Sequence, residues 1–175
     1  MLKRASGFTI IELLIVMVII SVLSVLVLTN YRSGQKKYAL DQAAQKLVSD
    51  IRKAQNMAMS GVEITGVCDE DNCTGYGIYI NKNDTFYIIY ADNNGNLSRQ
   101  PSDATVETIN LSSKIKIDSV SPLSNRIDMF FESPAPTARI NFPIGTTLGT
   151  ITLGVVDSSL TKTITVTTAG LIYSN

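Results

Sequence analysis

At 175 residues the chain holds enough for one core of ordinary size beyond an apolar N-terminal run, and its 15 basic and 15 acidic side chains cancel. With no His and no Trp, Ser-His-Asp, Cys-His and His-based zinc chemistry are excluded, which leaves any catalyst only carboxylates, Lys or Tyr. Residues 1–60 carry eight basic and three acidic groups and residues 61–175 seven and twelve; an acidic rear does not suit a phosphate backbone, so nucleic acid is not an expected partner.

In chain order, the first element runs from Phe8 to Leu28, where every residue is apolar or small and hydroxylated except Glu12. At about 1.5 Å per residue a helix here covers roughly the 30 Å of a hydrocarbon core. Lys3 and Arg4 precede it, so the positive-inside bias predicts a cytoplasmic N-terminus and an extracytoplasmic remainder. The run continues into "TNYRSGQKKYAL" with no small-x-small cleavage site at its end. A carboxyl inside an apolar span costs on the order of 2–3 kcal/mol near the centre. Glu12 lies about one turn from the membrane face, where water and the helix N-terminus relieve part of that cost, and a partner is expected to supply the rest.

The stretch "GFTIIELLIVMVIISVLSVLVL" resembles the N-terminal motif of type IV pilins and pseudopilins: a short basic leader ending in Gly, then Phe, then an apolar helix with Glu four residues after the Phe. That resemblance implies a prepilin peptidase and N-methyltransferase as a partner, cutting between Gly7 and Phe8 and methylating the new Phe8 amine. Gly7 would admit the peptidase, and Lys3 and Arg4 would orient the leader. The amine exposed at Phe8 is cationic at neutral pH, and a neighbouring subunit shifted along a fibre axis brings such an amine to Glu12 within an apolar bundle. The remaining implied partners are like or related pilin subunits through the N-terminal helix, the membrane and the assembly platform.

Beyond Leu28 the pattern becomes amphipathic, with Leu40, Ala44, Leu47, Ile51, Ala54 and Ala58 spaced alternately by four and three. Gly61 is a candidate C-cap and no Pro interrupts Phe8 to Ser60, so one long helix is predicted whose second half packs on a globular domain. Ser33 and Gly34 sit between the halves as a candidate hinge, since Gly costs about 1 kcal/mol against Ala in a helix interior; a surface Gly of no consequence is the alternative.

After Gly61 the period drops to two. "GYGIYI" and "FYIIYA" flank "NKNDT" as a hairpin, and "TVETINL", "IKIDSV", "RIDMFF", "ARINF", "TITLGV" and "TKTITVT" follow between Gly, Pro, Asn and Ser punctuation. The expected fold is α+β, pilin-like: a long N-terminal helix packed on a C-terminal antiparallel β domain. Its parts are a leader (1–7), a transmembrane or filament-core helix (8–28), an amphipathic continuation (29–60) and an extracytoplasmic β-rich head (61–175). The order of "GYGIYI", "YADNNGN", "INFPIG" and "ITVTTAGLIYS" resembles the heads of GspH- and FimT-like minor pilins. That group often carries Arg after the last Gly, implicated in DNA binding; here Leu171, Ile172 and Tyr173 follow Gly170.

Cys68 and Cys73 bracket "DEDN" and are expected to form a disulfide closing a surface loop in an oxidising compartment, with free thiols the alternative. Asp69, Glu70 and Asp71, or "DNNGN" at Asp92 to Asn96, offer oxygen ligands, but in the second stretch Gly95 stands fourth where a calcium loop needs it sixth, and a turn is the simpler reading. Asp118, Asp128 and Glu132 are scattered carboxylates with no spacing that selects a catalytic pair. Neither metal nor cofactor is expected. The expected function is structural: a non-enzymatic pilin, minor pilin or pseudopilin of a type IV pilus or type II secretion pseudopilus, first a single-pass inner-membrane protein and then part of a filament. A tip-located binding module or a membrane-anchored enzyme are the alternatives.

Overall fold

The computed structural model describes residues 7–64, 67, 73–123, 125–141 and 146–175, and of residues 26–30 the backbone alone. Helix α1 runs Ile10–Met59, two residues later than Phe8 at its start. The chain divides into two units, Met1–Lys37 and Tyr38–Asn175, each described by itself.

In the first unit the apolar side chains of the described residues are exposed. Ile10 is 83 % exposed, and Leu13, Met17, Ile20 and Leu23 all remain more than half exposed. Backbone helicity continues through the candidate hinge at Ser33 and Gly34, and a Cβ at Gly34 would meet open space.

In the second unit the same helix is amphipathic. Leu40, Ala44, Leu47, Ile51, Ala54 and Ala58 are at most 4 % exposed and join one core with both sheets. The helix closes on Gly61, whose φ of 54° is the left-handed conformation that Gly adopts without strain. The Val62 N–H donates to Met57 O and the Gly61 N–H to Ala58 O, satisfying carbonyls that the helix end leaves over.

The strands are β1 (Gly75–Asn81), β2 (Phe86–Asp92), β3 (Ala104–Asn110), β4 (Ile115–Ser121), β5 (Arg126–Glu132), β6 (Ala138–Ile140), β7 (Leu148–Val155), β8 (Thr161–Thr167) and β9 (Ile172–Ser174). Eight occupy the runs predicted from the alternation; β9 is a short strand for which the alternation predicted no run. They form two antiparallel sheets, β3-β2-β1-β5-β6 and β4-β7-β8-β9. The hairpin β1–β2 pairs Ile78 with Ile89 and turns through Asn83 at φ 74°, a conformation Asn tolerates.

Alternation on β1 explains its composition. Tyr76, Ile78 and Ile80 enter the shared core, while Gly77 points the other way, where a Cβ would stand 2.4 Å from Cζ of the Tyr90 ring. The ring therefore lies across β1 because Gly77 carries no side chain.

Candidate assembly site at the start of the helix

The residues singled out by the N-terminal motif converge on the first turn of α1. Thr9 is the N-cap and Glu12 the third helical residue, joined reciprocally. Thr9 N–H and Thr9 Oγ1 both donate to Glu12 Oε2, at 2.9 Å and 2.8 Å, and the Glu12 N–H donates to Thr9 Oγ1 at 3.3 Å. This is a capping box, and it holds a carboxylate at the positive end of a long helix. Glu12 thus has a partner within its own chain, which the sequence reading did not assign. The signal was present, since Thr-x-x-Glu ahead of an apolar run is the capping-box spacing.

Phe8 stands just before this box with 85 % of its surface exposed, and a Cβ on Gly7 would have nothing within 4 Å. Lys3 and Arg4 lie outside the described residues. No helix among the described residues is long and apolar enough to cross a membrane. Within the apolar run the described side chains end at Val25, about 22 Å from Ile10 at the helical rise; the apolar sequence goes on to Leu28.

The other candidates stand in the head. Cys68, Asp69, Glu70 and Asp71 lie outside the described residues; Cys73 is half-buried against the core and is not a free thiol. Asp92 is fully buried, and its carboxylate accepts the N–H groups of Asn94, Gly95 and Leu97 at 3.2, 3.0 and 2.9 Å. Gly95 and Leu97 take positive φ within this turn. Among the described residues no group of three acidic or Cys side chains is arranged to hold a metal ion.

Asp118, Asp128 and Glu132 do not converge either. Asp118 pairs with Lys116 at 3.0 Å and Glu132 with Arg139 at 2.7 Å. Asp128 is buried on β5, where it accepts hydrogen bonds from Tyr90 Oη at 2.6 Å, Ser98 Oγ at 3.0 Å and the Arg99 N–H at 2.6 Å. It ties the segment after β2 down over the outer face of the first sheet, while Arg99 sits 5.7 Å from the centre of the Tyr90 ring.

The helix has its own tether in the head. Asp50, 3 % exposed on the apolar stripe, accepts Tyr87 Oη at 2.5 Å and Lys46 Nζ at 2.7 Å, so a buried carboxylate is doubly satisfied. Gln55 Nε2 donates to Pro136 O and Gly170 O, and Arg52 donates to Ile172 O.

A long helix that is apolar and bare at its start, capped through Thr9 and Glu12, and amphipathic where it meets an antiparallel β head defines a pilin-like subunit. Residues 2–28 match the prokaryotic N-terminal methylation motif, and residues 43–170 match the type II transport protein GspH. The second match spans most of the chain: it belongs to the GspH family of type II secretion pseudopilins, which are structural and not enzymatic. No curated protein and no solved structure matches the chain.

Proposed function

We propose that this chain is a minor pseudopilin, held in the inner membrane by residues 8–28, cut between Gly7 and Phe8, methylated on the Phe8 amine and drawn into a pseudopilus through α1. The observation that carries the reading is the contrast within one helix: the head closes a core of its own around Leu47 and Ile51, whereas the apolar side chains from Ile10 to Val25 are left bare. So much exposed apolar surface requires lipid or neighbouring helices as its solvent.

Assembly then exchanges partners at Glu12. Before it, Thr9 holds the carboxylate; within an apolar bundle the cationic Phe8 amine of a neighbour adds a full opposite charge to two neutral donors, and that attraction is much stronger at low dielectric than in water. Ser33 and Gly34 are the place where the helix yields if it must bend, and a Cys68–Cys73 bridge closes the loop before β1.

The test is the mass of the N-terminal peptide of the protein isolated from its own host. A peptide that begins at Phe8 and is heavier by one methylene is expected. A start at Met1 or Leu2, in cells whose peptidase processes another substrate, would overturn processing and leave an anchored domain.

A further inference from the structure

Asn94 and Gly95 form the only Asn-Gly pair in the sequence, and they stand in the turn after β2 with both residues exposed to water. Asn in front of Gly has a chemistry of its own. The Gly nitrogen has no bulky side chain beside it, so it can close on the carbonyl carbon of the Asn side chain and displace ammonia. In an unstructured chain that reaction is held back, because an amide nitrogen is a weak nucleophile and an amide a poor leaving group.

The fold places a group at each atom where the reaction needs one. On the attacking nitrogen, the Gly95 N–H donates to Asp92 Oδ1 at 3.0 Å, the reach a general base requires. On the oxygen that must take up charge, Asn94 Oδ1 accepts the Asn96 N–H at 3.1 Å, as an oxyanion accepts its donor. On the leaving nitrogen, Asn94 Nδ2 contacts Ser102 Oγ at 3.1 Å and Asp103 Oδ1 at 3.3 Å. Asp103 is buried, and burial raises its carboxyl above the ordinary value, which favours a proton held there. A turn uses Asn and Gly for their backbone freedom; it does not need a carboxyl on each of the two nitrogens that exchange bonds.

We infer that Asn94 is a self-modification site: Gly95 N attacks Asn94 Cγ with Asp92 as general base, ammonia leaves with a proton from Asp103, and water opens the resulting imide to aspartate or isoaspartate. The bond from Gly95 N to Asn94 Cγ forms and the Cγ–Nδ2 bond breaks. Asp92 takes the Gly95 proton, Asp103 gives one to Nδ2, and exchange with solvent restores both carboxyls. Nothing is oxidised or reduced, and water is the one co-reactant.

The reaction undoes what holds the turn. The imide has no N–H for Asp92, the amide donors to Ser102 and Asp103 are lost, and the carboxylate that follows stands beside two others. Residues 98 and 99 stay tied to Asp128, so the head gains a charge and a looser turn while its core is kept.

The experiment is peptide mass spectrometry of the full chain held in detergent at neutral pH, sampled over time and digested in acid so that the imide survives. The same chain unfolded in urea is the reference. Conversion at Asn94 is expected to be at least about tenfold faster in the folded chain, a small part of the roughly 10²–10⁴ that a positioned acid or base supplies. Asp92→Asn and Asp103→Asn should each bring the folded rate down to the unfolded one, with near-ultraviolet circular dichroism showing a folded head; the second variant serves should the first fail to fold. Conversion in the folded chain no faster than in urea would overturn the inference, since the Asp92 contact would then only restrain the turn. A folded variant of either aspartate at the parent's rate would overturn it by removing that carboxyl from the reaction. Equal conversion at Asn93, Asn94 and Asn96 would also overturn it, by reducing the effect to mobility of the turn.

Discussion

Residues 10–25 and residues 40–58 of the same helix differ less in secondary structure than in where their apolar surface goes. In the first stretch apolar residues occur on every side and stay exposed; in the second they form one stripe that is almost wholly buried. A stripe can be covered by one face of a β domain, whereas a helix apolar all round cannot be satisfied by a partner on one side and needs surroundings that enclose it. The placement of carboxylates follows the same division. Among the described residues Glu12 is tied to its near neighbour Thr9, while Asp50 is tied to Tyr87 across the core.

The sharpest way to break the comparison is Glu12→Ala. Filament incorporation is expected to fall at least about tenfold, the equivalent of 1.4 kcal/mol and modest for a charge left unpaired in an apolar bundle, while the head melts as before. Normal incorporation in a sheared-filament assay would sink the exchange of partners at Glu12.

Next in size is the buried stripe. Leu47→Ala removes a side chain that is 1 % exposed and should lower head stability by about 2–5 kcal/mol in chemical denaturation. Leu14→Ala, at 56 % exposure in the first unit, should leave the denaturation midpoint of the head unchanged. An equal loss from both variants would erase the distinction between the two stretches. Gly77→Ala is expected to cost about 1–3 kcal/mol, because the new Cβ meets the buried Tyr90 ring, and a crystal structure of the variant should show that ring displaced.

A smaller effect concerns pH. Burial raises the Asp128 carboxyl above its ordinary value of 3.8, against the hydrogen bonds from Tyr90, Arg99 and Ser98 that lower it, and burial raises Asp103 as well. Between the ordinary and the raised value the folded head keeps protons that the unfolded chain has released. The stability these groups contribute is therefore fully present below the unfolded pKa and is lost as pH rises through the folded one. Denaturation midpoints taken from about pH 4 to 7 should fall with this slope, and Asp128→Asn should flatten it; a variant with the parent's slope would remove Asp128 as its source. Smallest of all is Lys53→Ala at the exposed Lys53–Glu107 pair, expected to change stability by about 0–1 kcal/mol and to do so less at high salt.

Much of this was legible before any coordinates. The helix span, its Gly61 cap, the six stripe residues and eight of nine strands follow from periodicity and punctuation, because each is a local property of the chain. At the candidate site, Gly7, Phe8 and Glu12 stand out as a motif, whereas the part of Thr9 shows only once its hydroxyl is placed at the N-cap three residues before Glu12. The tether at Asp50 and the anchoring of the segment after β2 at Asp128 are not legible in the sequence. Asp50 and Tyr87 are 37 positions apart and Tyr90 and Asp128 are 38 apart, and no spacing rule links residues at such separations.

The sequence by itself determined which residues are helical, which alternate, and which stretch is too apolar to be covered by its own chain, since side-chain direction repeats every 3.6 or 2 residues whatever else the chain does. Only the tertiary structure decided that β1 lies between β2 and β5, that the described strands divide into two sheets, and that an aspartate on each of two elements is buried with a tyrosine. Those outcomes depend on which faces meet, and packing selects them by burying the Ile, Phe and Tyr side chains of distant strands in one core while the buried Asp50 and Asp128 each accept a tyrosine hydroxyl.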